Sequence, residues 1–418
     1  MNHIRNLKCL LCGKEYGPEG VLYVCPNHDT EGILDVQYDY ELIASRFSRS
    51  DLKERREESL WRYKPLLPVK PDAFEPPIKV GWTPLYRALR LAEALGLRDL
   101  WTKDDCRQPT GSLKDRASLI ALVKALELRA RVISTASTGN AGAALSGLCA
   151  SIGMANVIFV PASAPEAKVA QLLVYGSFVL TVEGTYDDAF ELCLEAAKVY
   201  GWYIRSTGYN PYMTEGKKTV LYEIYEQLGW EEPDVIFVPV GDGCIMGGVH
   251  KGLKDLSALG WIKKMPRLIG VQASGSAALY HAWEEGLDPW RMKPIEVRTV
   301  ADSLASGLPR DRIKAMRAVQ ETGGVFLTVT DEEILEAIPA LARGCGIFAE
   351  PAGASSFAGL VKAVKTGLVS PEEKIVILIT GTGLKDIPSA RRAAGKPKRI
   401  HPNLKEVEAA LVEKRLLW

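Results

Sequence analysis

A single lysine, Lys114, stands where an amine could do chemistry. It lies in the stretch from Pro109 to Ala117, where a Thr-Gly-Ser turn runs directly into a helical pattern. The first turn of a helix usually carries acids, because the N-terminal end of the helix dipole is positive. A lysine there is easier to deprotonate than a free one, and its neutral amine could form a Schiff base. The alternative is a surface lysine that follows a capping turn.

A loop of small polar residues after the apolar run at 131–134 could hold a carboxylate. It consists of Ser137, Thr138, Gly139 and Asn140, and it opens a second helical pattern. Free backbone N–H groups at a helix start, together with two hydroxyls, suit a carboxylate group. Helix capping alone would explain one of these hydroxyls but not the whole run.

A glycine-rich loop after the apolar run at 235–240 has the composition of a phosphate cup. Its members are Gly241, Asp242, Gly243, Cys244 and Ile245. Glycines allow backbone amides to approach an anion closely, and the following helix adds its positive end. The loop is neither a P-loop nor a clear dinucleotide fingerprint. A carboxylate beside a phosphate costs energy unless it points away or is hydrogen-bonded, so Asp242 is the unusual member.

A third loop, after the apolar run at 375–379, reads Thr380-Gly-Thr-Gly-Leu-Lys-Asp. The hydroxyl of Thr380, at the end of the run, could donate to or accept from a ring nitrogen without carrying charge. The glycines could equally mark no more than a tight turn.

The elements that must position these loops are short apolar runs that alternate with helical patterns of about ten to fifteen residues. The runs predicted as strands are 131–134, 157–160, 178–182, 235–240, 268–272 and 375–379. This rhythm is typical of parallel sheets covered by helices on both faces. The sequence therefore predicts an α/β fold. Ligands in such folds bind beyond the carboxyl ends of the strands, where the three loops lie.

Four potential metal ligands are concentrated near the N-terminus: Cys9, Cys12, Cys25 and His28. Two residues separate Cys9 from Cys12, and two separate Cys25 from His28. Two short knuckles of this kind would supply a tetrahedral Cys3His set for Zn²⁺ in a closed, structural site. The alternative is a small hairpin with reduced cysteines packed in its base. The other cysteines are scattered singly, which argues against a disulfide framework.

The composition limits the classes of function. A chain of 418 residues is predicted to form two or three domains. Lys+Arg 52 against Asp+Glu 51 gives a formal net charge of +1, which argues against nucleic-acid or membrane partners and favours a small molecule. No apolar run reaches the length of a bilayer span, and the N-terminus lacks a signal-peptide core. These features predict a cytoplasmic protein.

Four motifs together carry a family resemblance. In order, they are the Gly-Ser-Leu-Lys-Asp-Arg run around Lys114, the Ser-Thr-Gly-Asn loop, the glycine cup after a Val-Pro-Val strand, and the run from Thr380 to Asp386. They resemble fold-type II pyridoxal-phosphate enzymes, and most closely the threonine synthase family. The N-terminal segment is also similar to that of some threonine synthases and of the related cysteate synthases.

The resemblance implies two doubly wound parallel-sheet domains of the fold-type II (tryptophan synthase β-like) kind, commonly as a homodimer. The predicted organisation is a zinc-ribbon-like segment, a helical and proline-rich strap, a catalytic region with a small domain at about 120–210 inserted in the large one, and a tail. The corresponding ranges are 1–40, 41–80, 81–390 and 391–418.

The resemblance also implies a role for individual residues toward pyridoxal 5'-phosphate. Lys114 would bind the cofactor as a Schiff base, and Asn140 would hydrogen-bond its phenolic O3′. The backbone of Gly241 to Ile245 would hold the cofactor phosphate, and Thr380 would contact the pyridine nitrogen. A hydroxyl rather than an acid leaves that nitrogen unprotonated, which favours elimination and replacement over transamination.

For threonine synthases, the implied reaction converts O-phosphohomoserine and water to threonine and phosphate. Ser137 and Thr138 would cradle the substrate α-carboxylate, and the freed amine of Lys114 would remove the α-proton. Phosphate would leave from Cγ, and water would add at Cβ.

One departure from the family pattern concerns the substrate phosphate. Threonine synthases usually show an Asn-Pro-Phe/Tyr-Arg element whose arginine helps to bind that phosphate, whereas this chain reads Asn-Pro-Tyr-Met from Asn210 to Met213. Methionine cannot form a bidentate clamp on phosphate. Asn210, Lys168 or Lys217 could compensate as substrate-binding residues, or the substrate could carry no phosphate.

Three functions therefore stay open at the level of sequence. The first is a threonine synthase. The second is a threonine/serine ammonia-lyase or a β-replacement enzyme such as a cysteate synthase acting on phosphoserine, which Met213 favours. The third is a catalytically silent cofactor-binding or scaffold protein whose N-terminal segment binds a partner.

Overall fold

The computed structural model describes residues 3–19, 23–137, 139–164 and 166–414. In chain order the strands are β1 Ile4–Cys9, β2 Glu15–Tyr16, β3 Leu34–Tyr38, β4 Leu85–Arg87, β5 Asp99–Asp104, β6 Val132–Ala136, β7 Ala155–Pro161, β8 Phe178–Val182, β9 Tyr203–Ile204, β10 Val235–Pro239, β11 Arg267–Ala273, β12 Val325–Val329 and β13 Lys374–Ile379. The α-helices are α1 Tyr40–Ala44, α2 Arg49–Glu54, α3 Leu89–Leu95, α4 Lys114–Glu127, α5 Asn140–Ala150, α6 Glu166–Val174, α7 Tyr186–Tyr200, α8 Tyr212–Lys217, α9 Thr219–Gln227, α10 Cys244–Ala258, α11 Ala278–Glu284, α12 Arg312–Glu321, α13 Asp331–Cys345, α14 Pro351–Lys365, α15 Ile387–Ala394 and α16 Leu404–Glu413.

The central sheet has the strand order β12-β11-β10-β13-β5-β4. All of its pairs are parallel except the edge pair β4–β5. Strands β10 and β13 lie in the middle and are buried almost throughout. Their near-continuous apolar runs follow from burial of both faces, since helices cover each side of a parallel sheet.

A second sheet, of order β8-β7-β6-β9, is entirely parallel. Its strands lie between residues 132 and 204, inside the interval predicted for a small inserted domain. The chain passes from β5 of the central sheet through α4 into β6, and it returns after β9 through α8 and α9 to β10. Helix α4, which begins at Lys114, therefore connects the two sheets. The exact domain limits stay a prediction.

The N-terminal segment forms an antiparallel sheet of order β2-β1-β3. Its buried residues Leu7, Leu34 and Val36 share one apolar core with Leu119 of α4 and Val249 of α10. Lys251 of α10 also donates to Asp35 of β3 at 3.0 Å, so the segment contacts one of the helices that carry the predicted site. In the part of the chain that the structure describes, no helix is both long and apolar enough to cross a membrane.

Candidate functional site

The stretch that contains Lys114 lies against the third predicted loop. The backbone N–H of Leu113 donates to the carbonyl of Thr380 at 2.9 Å, and that of Thr382 donates to Gly111 at 3.0 Å. Ser112 and Gly381 form an antiparallel bridge between the same two stretches. The turn before α4 is therefore held at the carboxyl end of β13, where ligands bind in this class of fold.

Lys114 is the first residue of α4, and its side chain is partly buried. Burial, together with the positive charges of Lys217 and Arg205, lowers the pKa of Lys114 to about 7. The positive end of the helix dipole acts in the same direction. A large fraction of the amine is therefore neutral near pH 7, as Schiff-base chemistry requires.

The glycine-rich loop forms the N-terminal end of α10, with Gly243 as the N-cap. No side chain caps this helix, and the backbone amides of residues 243–246 have no acceptor among the described residues. Free donors at the positive end of a helix are a ready site for a phosphate group.

Asp242 does not disturb this arrangement. Its Oδ1 accepts a hydrogen bond from the backbone N–H of Arg310 at 2.7 Å. Burial and the neighbouring Asp311 raise the pKa of Asp242 to about 6, so the group stays mostly ionised at pH 7 and is stabilised by this hydrogen bond. The carboxyl group is thus hydrogen-bonded, the condition under which it can lie beside an anion.

The loop before α5 also presents free backbone donors. Helix α5 begins at Asn140 without a side-chain cap hydrogen bond. The hydroxyl of Ser137 accepts from the N–H of Gly139 at 3.2 Å, and the N–H of Ser137 donates to the carbonyl of Phe159 at 3.0 Å. Thr138 lies outside the described residues. The described part of the loop leaves the first amides of α5 available to a carboxylate.

A buried carboxylate, Glu350, belongs to this site and was not predicted from the sequence. The side-chain amide of Asn140 donates to Glu350 Oε1 at 2.7 Å and to Ser303 Oγ at 3.2 Å. Burial raises the pKa of Glu350. The sequence signal for Glu350 is modest: an acid that directly precedes Pro351, the first residue of α14.

Asn140 and Glu350 border a cavity of about 300 Å³, whose lining includes neither Lys114 nor the glycine-rich loop before α10. Its lining includes Thr110, Asn140, Ser303, Glu350, Thr382 and Lys385. Lys385 Nζ is buried and has no hydrogen-bond partner among the residues the structure describes, and burial lowers the pKa of Lys385. Lys168 borders the same cavity and forms an ion pair with Asp302. The cavity has the size of a small-molecule site.

The segment with the unusual methionine follows β9. The amide of Asn210 donates to Tyr203 Oη at 2.9 Å and to the carbonyl of Ile204 at 2.7 Å, and its oxygen accepts from the N–H of Tyr212 at 3.0 Å. Asn210 thus stabilises its own turn, and its contact with substrate stays a prediction. Met213 is fully buried in the apolar core.

The four N-terminal metal ligands come together. The ligand atoms of Cys9, Cys12, Cys25 and His28 all lie within 4.8 Å of one another. The Sγ atoms of Cys12 and Cys25 are 3.9 Å apart, close to the edge of about 3.8 Å that a tetrahedral zinc–thiolate site has. His28 Nε2 is buried without a hydrogen-bond partner within the described ranges. The donor set fits a closed tetrahedral zinc site.

Comparison with known proteins identifies the class of this chain. The family model described as pyridoxal-phosphate dependent enzyme matches residues 78–381. The fold and the site therefore define a pyridoxal-phosphate-dependent enzyme. The threonine synthase of Methanocaldococcus jannaschii is 37% identical over 411 residues, 97% of this chain and 99% of the relative. That of Methanosarcina acetivorans is 38% identical over 412 residues, 98% and 99% of the two chains. The chain belongs to the threonine synthase family.

Solved structures share the fold at lower identity. The processed form of threonine deaminase isoform 2 from Solanum lycopersicum superimposes with a TM-score of 0.64 and 24% identity, over 75% of this chain and 82% of that one. Diaminopropionate ammonia lyase from Escherichia coli gives a TM-score of 0.66 and 19% identity, over 83% and 92%. At these identities the likeness concerns the fold alone.

Proposed function

We propose that this protein is a lyase that converts O-phosphohomoserine and water to threonine and phosphate with pyridoxal 5'-phosphate. The observation that carries the proposal is the 37–38% identity to two threonine synthases over nearly the whole chain. The structure supports it, since the charges of Cys244 at the uncapped start of α10 and of Glu350, which accepts from Asn140 at the start of α5, both act on Lys114.

The residues present fit the cofactor. The free amides at the start of α10 suit its phosphate, and the neutral amine of Lys114 suits its aldehyde. Asn140 would hydrogen-bond the phenolic oxygen, and Thr380 would contact the ring nitrogen. When bound, pyridoxal phosphate supplies an electron sink for the negative charge that develops at the substrate α-carbon.

The protein's own groups then have separate tasks. The N-terminal end of α5, with Ser137 and Thr138, binds the substrate α-carboxylate. The amine of Lys114, once free, takes the proton from the α-carbon and delivers protons to later positions, because a neutral amine can act as base and its conjugate as acid. Asn140 is oriented for its task by Glu350, to which it already donates a hydrogen bond.

Product analysis tests the proposed reaction. The holoenzyme is incubated separately with O-phosphohomoserine, phosphoserine, threonine and serine, and released phosphate and ammonia are measured. We expect phosphate and threonine from O-phosphohomoserine as the main activity. Absence of phosphate release from this substrate would remove the proposal.

A second candidate function rests on Met213. Met213 stands at the position where the family usually carries an arginine, and it is buried in the core. The missing arginine favours a threonine/serine ammonia-lyase or a phosphoserine β-replacement enzyme. The same four incubations distinguish these activities, because a lyase of this kind releases ammonia from threonine or serine and a β-replacement enzyme releases phosphate from phosphoserine.

The reactivity of Lys114 is expected to rise with pH through a midpoint near 7. A lysine with a lowered pKa loses its proton as the pH passes that value, and only the neutral amine attacks electrophiles. Cofactor-free protein is labelled with acetic anhydride at a series of pH values, and the modified peptides are quantified by mass spectrometry, with the exposed Lys365 as internal reference. A rate for Lys114 that stays flat from pH 6 to 8 would contradict this expectation.

We also propose that Cys9, Cys12, Cys25 and His28 bind one structural Zn²⁺. Metal analysis of the purified protein is expected to give about one zinc per chain. Cys25→Ser should lose the metal, whereas Cys345→Ser, a half-buried thiol outside the cluster, should retain it. A metal-free wild-type protein with full stability would exclude the site.

Loss of this metal is expected to affect substrate binding in the catalytic region. Tyr23 lies between the knuckle ligands Cys12 and Cys25, and its hydroxyl accepts from the backbone N–H of Ile204 at 2.9 Å. Its ring stacks on Tyr209 at a centroid distance of 5.0 Å. The metal-binding segment thus supports the segment that follows β9. We expect Cys25→Ser to raise the KM for the amino-acid substrate more than it lowers kcat.

The remaining expectations concern assembly. The proposal includes a homodimer and the domain limits 81–390 with an inserted domain at about 120–210. Sedimentation analysis of the holoenzyme measures the number of chains in the assembly. Limited proteolysis with mass mapping measures the domain limits.

A further inference from the structure

A buried arginine beside the candidate site has an unused donor. Arg205 follows β9 directly and is 1% exposed. Its Nε donates to Ser118 Oγ at 2.9 Å, and its Nη1 donates to Thr207 Oγ1 at 3.3 Å. No described residue accepts from its Nη2. A buried donor without an acceptor costs free energy, so a ligand is expected to supply one.

The position of Arg205 places this donor near the catalytic lysine. Ser118, its partner, lies one helical turn after Lys114 on the same face of α4. The backbone of Arg205 is fixed by its N–H, which donates to the carbonyl of Ser134 in β6 at 2.9 Å. The charge of Arg205 contributes to the lowered pKa of Lys114, which is consistent with this proximity.

A second buried cation, Lys217, is held between the two helices that carry the site. It is 1% exposed, at the end of α8. Helix α8 crosses α4 at Gly216, where an added Cβ would lie 2.1 Å from the carbonyl oxygen of Arg116. On the other side, a Cβ added to Gly248 of α10 would lie 2.8 Å from Lys217 Cβ. Only glycine at these two positions allows such close packing.

The charge of Lys217 acts on both helix starts. It lowers the pKa of Lys114 at the start of α4, and it opposes the rise in the pKa of Cys244 that burial causes at the start of α10. Ser206, next to Arg205, adds a buried hydroxyl that has no partner in the part of the chain that is described. Two cations and a free hydroxyl are the composition of a site for a phosphoryl group.

We propose that Arg205, Ser206 and Lys217 form the subsite for the substrate's phosphoryl group, in place of the arginine that Met213 excludes. The inference rests on the proposed function, in which phosphate leaves from Cγ. In that step the amine of Lys114 takes a proton from Cβ, and the electron pair of the broken C–H bond forms a double bond between Cβ and Cγ. The Cγ–O bond breaks, its electron pair leaves with the phosphate oxygen, and the two cations stabilise the resulting charge.

The cofactor phosphate has backbone donors of its own. The amides of residues 243–246 at the start of α10 are free to bind that group. Arg205 contacts α4 directly, because its Nε donates to the hydroxyl of Ser118. Because Nε and Nη1 of Arg205 already have acceptors, Nη2 is the nitrogen left to donate to a phosphoryl oxygen.

The experiment compares Arg205→Gln, Arg205→Lys and Lys217→Gln with wild-type holoenzyme. We expect Arg205→Gln to lower kcat/KM for O-phosphohomoserine roughly 10- to 100-fold, as loss of a charged hydrogen bond does. Arg205→Lys should lose less, because it keeps the charge but not the planar guanidinium. Binding of inorganic phosphate, measured by calorimetry, should weaken in parallel, while cofactor content and the affinity for unphosphorylated threonine stay unchanged.

The control is Arg267→Gln, which removes a half-buried arginine paired with Glu373 at the opposite end of the central sheet. Wild-type phosphate affinity in Arg205→Gln would overturn the proposal. Loss of cofactor from Lys217→Gln would show that Lys217 binds the cofactor phosphate, and it would remove Lys217 from the proposed subsite. Wild-type protein that binds inorganic phosphate through Arg205 but does not turn over O-phosphohomoserine would refute the reaction and leave the subsite standing.

Discussion

Replacement of Lys114 by alanine is expected to abolish turnover, with a fall in kcat of at least about 10³-fold. Under the proposed function, the variant lacks both the amine that would attach the cofactor and the base that would act at the substrate α-carbon. We also expect the visible absorption band of the lysine-bound cofactor to disappear. Absorption spectra of the purified variant and product assays with O-phosphohomoserine measure the two effects.

The matched control is Lys365→Ala, an exposed lysine at the end of α14. It should keep the absorption band and the activity. A Lys114→Ala protein with the same band and the same phosphate release as wild type would show that another amine binds the cofactor and removes the α-proton.

Replacement of Arg116 by methionine is expected to lower the free energy of unfolding by about 3–5 kcal/mol. Arg116 Nε donates to Asp105 Oδ2 at 2.7 Å, and its Nη2 donates to Glu223 Oε2 at 2.8 Å. All three side chains are buried. Burial alone would raise the pKa of Glu223. The positive charges of Arg116 and Lys103 outweigh that effect and hold this pKa at about 2. Methionine would leave two carboxylates buried without their common partner.

Urea denaturation followed by circular dichroism measures this loss, and Arg267→Met provides the comparison. The pair of Arg267 with Glu373 is partly exposed, so its removal should cost less than about 1 kcal/mol. Equal midpoints for the two variants would show that the buried network contributes no more than a surface pair.

The strands were predictable where the sequence carries a short apolar run bounded by polar or turn residues. Each of the six predicted runs overlaps a strand, and β8 has the predicted limits. Strand β5 was missed because it contains Asp99, Lys103 and Asp104. Its position next to β13 in the central sheet is compatible with these residues only because Lys103 Nζ donates to Thr83 O at 2.6 Å and pairs with Glu223. Such neutralisation is a tertiary effect that a local pattern does not show.

The positions of two candidate loops were predictable, because the glycine cup and the threonine loop each follow a predicted strand. The lysine turn, the glycine cup and the threonine loop all lie at carboxyl ends of strands of the central sheet or at helix starts beside them. Glu350 and Arg205 were missed, since their significance comes from burial and from the partners that the fold gives or denies them. A charged residue in sequence is far more often solvated than enclosed.

The place of β13 in the central sheet has a consequence for biosynthesis on the ribosome. Its neighbours β10 and β5 come earlier in the chain, yet they contact each other only through β13. The nascent chain therefore leaves the edges of β10 and β5 unpaired until β13 has been translated, a condition in which intermediates aggregate or need chaperones. The hydrogen bond from Leu113 to Thr380 also forms only after β13 has been translated, so the turn before Lys114 is fixed late in synthesis.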